Sequence, residues 1–144
     1  MTDFELLISC PEELMPTKGN PGDAGFDVRS AIDTSIEPGE RKLIPTGISI
    51  AMPNGYVCLV HPRSGLALKS GITVLNSPGT IDAGYRGEIQ VTLINHSNQT
   101  FEVKRLDRIA QLVFQKFEEP HLVVVEALPE SQRGASGFGS TGVR

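Results

Sequence analysis

The sequence has only two cysteines, Cys10 and Cys58, and neither stands in a CxxC pair. That excludes a disulfide framework and a cysteine zinc site, and it predicts two buried, reduced thiols. Basic charge is not in excess either: 13 Lys and Arg face 17 Asp and Glu, a formal net charge of −4. Proteins that clamp phosphate backbones carry a basic face or stripe, so direct nucleic-acid binding is not expected and any bound polyanion should be small. No uncharged apolar run approaches the roughly 18 residues of a membrane span. The opening MTDFELLISC lacks a basic stretch followed by a long apolar core. The expectation is a soluble, cytoplasmic chain with no membrane partner. His61, His96 and His121 lack the spacing of a transition-metal site, and no role is assigned to them; His61 is read as a packing residue. There is no internal repeat and no Ser, His and Asp constellation for nucleophilic catalysis.

Glycine and proline are plentiful, at 15 and 10 of the 144 residues, above the usual share of about 12%. They favour turns over long helices. A single domain of this length buries roughly 68% of the surface its unfolded chain exposes, enough for a core without metal or disulfide staples. β-favouring runs alternate with turn segments such as NPGDAG, EPGE, MPNG and DAGYRG. Strands are predicted over 4–8, 26–29, 41–50, 56–61, 72–75, 88–95, 108–117 and 122–126, with one short helix around 66–69. The fold class is all-β, a sandwich or barrel. Ile89, Val91 and Leu93 alternate with Glu88, Gln90 and Thr92, the mark of a strand with one wet face. Val123, Val124 and Val125 are continuous, which predicts burial on both faces, in this chain's own core or against another subunit.

Five segments carry chemistry. Arg63, Ser64 and Gly65 place a guanidinium fork, a hydroxyl and an unshielded amide side by side; a phosphate site and an ordinary surface turn both fit. Asp82 and Tyr85 lie in a Gly-rich stretch read as a hairpin, where the carboxylate could deprotonate water or simply hold a turn. Asp27 sits between Phe26 and Val28 at a strand start, and Gln111 sits within an apolar strand beside Arg108. Gln111 is either satisfied in the core or directed at a ligand. From residue 130 the chain turns to Gly, Ser, Thr and Arg, the composition of a disordered end. The same segment offers an anion clamp in Arg133, Ser140 and Thr141, with Phe138 to stack on a ring. Gly134 and Gly139 have Walker A spacing, but Ser140 replaces the lysine and no helix can follow, so a lid fits better than a P-loop.

In order, AGFD (24–27), PRSGLA (62–67), GTIDAGYRGEI (79–89), RIAQL (108–112) and RGASGFGSTG (133–142) resemble the five motifs of the trimeric dUTP pyrophosphatase (dUTPase) family. The resemblance implies a jelly-roll-like β-sandwich or barrel forming a homotrimer whose active sites draw motifs from different subunits. It implies a β domain over 1–129 and a flexible lid over 130–144. The implied activity is hydrolysis of dUTP to dUMP and pyrophosphate, by water attack on the α-phosphorus with Mg²⁺ on the triphosphate. That keeps uracil out of DNA and supplies dUMP for thymidylate synthesis. Asp82 matches the carboxylate that activates the water, and Asp27 the one that supports the metal through water. Arg63, Ser64, Gly65 and Gln111 match phosphate contacts. Asn76, Thr80, Ile81 and Gln90 match the uracil-reading segment, and Tyr85 the ring under the deoxyribose that excludes a 2′-hydroxyl. Arg133 matches the γ-phosphate contact, joined by Ser140 and Thr141, while Phe138 with Gly139 covers the uracil. Ala135 and Ser136 depart from the usual Ser and Gly but remain small. The alternatives are a dCTP deaminase, with or without pyrophosphate release, and a non-catalytic nucleotide-sensing protein of the same fold.

Overall fold

Strands form where apolar and polar residues alternate between turn residues. A computed structural model describes residues 5–143; Phe4, which opens the first predicted strand, lies outside them. The strands are β1 Leu7–Ser9, β2 Gly25–Arg29, β3 Thr34–Ile36, β4 Arg41–Ala51, β5 Tyr56–His61, β6 Ile72–Val74, β7 Gly79–Ile81, β8 Ile89–Asn95, β9 Phe101–Val103 and β10 Arg108–Lys116. The one α-helix among the described residues, α1 (Ser64–Ser70), contains the predicted 66–69 and closes on Gly71, whose φ of 64° suits glycine.

Two four-stranded sheets, in the orders β1-β4-β8-β6 and β2-β10-β5-β7, are joined by a two-stranded ribbon of β3 and β9. All the pairings are antiparallel. The sheets keep separate edges, so of the two expected forms the fold is the sandwich and not a closed barrel. The core draws Ile44, Ile48, Ile89, Val91 and Leu93 from one sheet and Val28, Cys58, Val60, Ala110 and Leu112 from the other. The predicted alternation in β8 holds: Ile89, Val91 and Leu93 are buried while Gln90 is exposed. Asn95 clips the ribbon to this core, its Nδ2 donating to Ile36 O and Gln99 O at 2.8 Å each.

Three observations correct the expectations. Residues 122–126 form no strand, and Leu122, Val123, Val124 and Val125 are exposed, Val124 at 98%. Their own core is closed without them, so only the second of the two expected burial sites is left open. Strands β3, β7 and β9, of three residues each, were not predicted. Of the two thiols, Cys58 is fully buried whereas Cys10 is only partly so, its Sγ 3.9 Å from Met15 Sδ. Burial pushes the Cys58 thiol up to about 12. Since the thiolate is the nucleophile, Cys58 should resist iodoacetamide at pH 8 in the folded protein and react once urea unfolds it. Mass spectrometry of the labelled protein checks this.

Candidate active site

Strand register sets the first group of predicted residues in a line. Gln111 in the middle of β10 pairs with Asp27 of β2 on one side and His61 of β5 on the other, so the three share one face of the sheet. Val28, Ala110, Leu112 and Val60, one residue along, turn into the core. Asp27 is only 17% exposed, and two guanidiniums hold its carboxylate: Arg63 Nε lies 3.2 Å from Oδ1, Arg108 Nη1 3.3 Å from Oδ2. Gln111 Nε2 donates to Pro62 O at 3.1 Å.

Arg63 is also the residue that opens α1. The first bond within the helix is Ala67 N to Arg63 O, and no side chain caps the start. The amides of Ser64 and Gly65 therefore have no partner inside the helix. One carboxylate, two guanidiniums and these amides leave a face with surplus positive charge, suited to an anion.

Asn76, Thr80, Ile81 and Gln90 meet elsewhere, around a cleft of about 100 Å³ between β7 and β8. The expected hairpin is corrected here. β7 pairs with β5 and β8 with β4 and β6, so the two strands diverge into different sheets. β7 is an edge strand, and the backbone groups of its free side are available to a ligand. The loop that follows carries Asp82, which is exposed, and Tyr85, whose Oη donates to Glu88 O at 2.9 Å.

The same register keeps the two groups apart. Ile81 stands opposite Cys58, and β7 runs antiparallel to β5. Continued one step, that register sets Asp82 level with Val57, near the start of β5, while Arg63 lies two residues past its end, about six residue steps or roughly 20 Å away. The tail forms a third group: Arg133, Phe138, Gly139, Ser140 and Thr141 are exposed, and Arg133 Nε donates to its neighbour Ser136 O at 2.8 Å. Phe138 has a φ of 50°, unusual outside glycine.

Two residues join the first group that were not predicted as site residues. Arg108 stands in the same sequence segment as Gln111 with no predicted role; its contact with Asp27 crosses strands and has no local signal. Gly25 seats Gln111: a Cβ on it would overlap Gln111 Oε1 and lie 3.0 Å from Cδ. A glycine inside a strand is the signal that marks such a close approach. His61, read as a packing residue, has a buried Nε2 with no hydrogen-bond partner among the described residues.

Comparison with known proteins identifies the family. A family model described as dUTPase matches residues 12–142. The deoxyuridine 5′-triphosphate nucleotidohydrolase of Nocardia farcinica is 56% identical over 129 residues, covering 89% of this chain and 78% of the relative. That of Bifidobacterium longum is 58% identical over 123 residues, covering 85% and 78%. Among solved structures, the dUTPase of Staphylococcus bacteriophage 80alpha with dUpNHpp superposes with a TM-score of 0.89 at 30% identity, covering 96% of this chain and 99% of that one. A variant dUTPase of phage phi11, described as coordinating a structural Mg(II) ion, superposes with a TM-score of 0.80 at 27% identity, covering 88% and 99%. With the family model matched along nearly the whole chain and its fold superposing on these enzymes, the chain belongs to the dUTPase family.

Proposed function

We propose that the chain is a dUTP diphosphatase, hydrolysing dUTP to dUMP and pyrophosphate in homotrimers that share their active sites. The observation that carries this reading is a division of labour: a cleft for one small planar ring on one part of the chain, and an anion-binding face on another. The cleft takes uracil against Asn76, Thr80, Ile81 and Gln90. Thymine's methyl group would not fit so small a space, and cytosine would leave buried polar groups unpaired. Arg63, Ser64, Gly65 and Gln111 hold the phosphate chain, and Asp82 takes the proton from the water that attacks the α-phosphorus. Phosphoryl transfer asks for positioning and charge neutralisation more than for covalent work by the protein.

The roughly 20 Å between Asp82 and Arg63 in one chain supports shared sites, because base and phosphate contacts then come together only between subunits. Leu122, Val123, Val124 and Val125, exposed here, support a subunit contact that would cover them. The tail from residue 130 to 144 is read as a separate lid, with Arg133 on the γ-phosphate, Ser140 and Thr141 adding hydroxyls, and Phe138 and Gly139 over the base. Among the described residues no three His, Cys, Asp or Glu side chains cluster to hold a metal. That donor set fits Mg²⁺ bound mainly by substrate oxygens and water, with Asp27 holding its waters, since Mg²⁺ keeps much of its hydration. When bound it neutralises charge on the triphosphate. No described helix is long and apolar enough to cross a membrane, and the nucleotide chemistry suits a cytoplasmic location.

The test is pyrophosphate release from dUTP, dCTP, dTTP and UTP with Mg²⁺, repeated for dUTP in EDTA. Hydrolysis of dUTP alone, abolished by chelation, is the expected result. Ammonia from dCTP would favour a deaminase, and no turnover by a folded trimer would favour a nucleotide sensor.

A further inference from the structure

Tyr85 sits in a loop and is 47% exposed, yet its ring is held at one angle. The far end of the ring is tied by the hydrogen bond from its Oη to Glu88 O. Glu88 is itself tied down, its Oε1 accepting from Gly47 N at 2.8 Å in the irregular stretch of β4. The phenol end of the ring then lies against Gly87. A Cβ built on Gly87 would overlap Tyr85 Oη and come within 2.6 Å of Cζ and 3.0 Å of Cε2. Gly87 is not in the left-handed region, so its backbone does not require glycine. Gly84, three residues earlier in the same loop, would meet nothing within 4 Å.

We propose that Gly87 is a specificity-determining positioning residue: its missing side chain is the seat of the Tyr85 ring, and so sets the enzyme's preference for a deoxyribose over a ribose. This rests on the reading that Tyr85 packs under the sugar. A side chain at position 87 lifts the ring, breaks its bond to Glu88 O, and opens room for a 2′-hydroxyl. The ring is half in solvent and can move without disturbing the core, so the effect falls mainly on selectivity.

The experiment compares kcat/KM for dUTP and UTP in the unaltered protein, Gly87→Ala, Tyr85→Ala and the double variant, with a thermal melt of each. One group of about methylene size in a closed pocket is worth about 10–200-fold in discrimination. Gly87→Ala and Tyr85→Ala should each lower the dUTP to UTP ratio by about tenfold or more, and Gly87→Ala should add nothing once the ring is gone. A normal ratio in Gly87→Ala, with a reduced one in Tyr85→Ala, overturns the seat while sparing the reading of Tyr85. A normal ratio in Tyr85→Ala overturns that reading and the seat with it. If Gly87→Ala lowers the melting temperature, recovery in the double variant supports the seat. A double variant that melts as low as Gly87→Ala overturns it.

Discussion

Asp82→Asn is expected to lower kcat for dUTP by about a thousandfold while leaving the nucleotide bound. Asparagine keeps the size and one oxygen of the aspartate but cannot accept a proton, and a well-placed general base contributes about 10²–10⁴ in rate. Asp82 lies on an exposed loop and is no part of the core, so the substitution has no route to unfolding the protein. Because the proposed phosphate contacts lie elsewhere on the chain, affinity for the imido analogue dUpNHpp should change by no more than a few-fold. Single-turnover kinetics with dUTP and calorimetric titration with dUpNHpp separate the two effects. Unchanged turnover would remove Asp82 as the base, and lost binding would make it a ligand contact instead.

Removing residues 130–144 is expected to lower kcat/KM for dUTP by a comparable factor, about a thousandfold, and to leave the remaining domain folded. The segment carries Arg133, read on the γ-phosphate of the departing pyrophosphate, and one preorganised donor at developing charge is worth about 10²–10³ in rate. It carries Phe138 too, whose fully exposed ring contributes nothing to the core of its own chain. The described bonds of Arg133 and Gly134 stay within the segment, to Ser136 and Ser131. The melting temperature should therefore stay within a few degrees, the equivalent of about 1 kcal/mol at this length. Sedimentation of the truncated protein should give the same assembly as the full chain, the proposed trimer. Dissociation would assign the tail to assembly, and full activity would end its reading as a lid.

Much of the site was visible in one dimension because its residues come in short, dense runs. Arg63, Ser64 and Gly65 are adjacent, and the turn into α1 that aligns them is a local event. Arg108 shows the limit: its carboxylate partner lies 81 residues away in the chain, and only the β2–β10 pairing joins them. The roles of Gly25 and Gly87 were hidden for a related reason. A glycine reads as a turn or a weak spot in a strand until the side chain folded over it is seen.

What the sequence alone determined is the material of the fold. Period-two alternation and Gly, Pro and Asx turns set out seven of the strands and the helix, since both signals act over a few residues. What only the tertiary structure decided is which edges meet. The Gly-rich stretch around Asp82 looked like a hairpin, yet the hydrogen bonds of β7 and β8, which flank it, go to different sheets and leave a cleft between them. The continuous valines looked like a strand buried in this chain or against another subunit, and the core of this chain closes without them. Pairing and register are choices among distant backbone donors and acceptors, made by the burial of whole faces. That choice sets Asp27, Gln111 and His61 in one row and leaves Asp82 at the far end of the neighbouring strand.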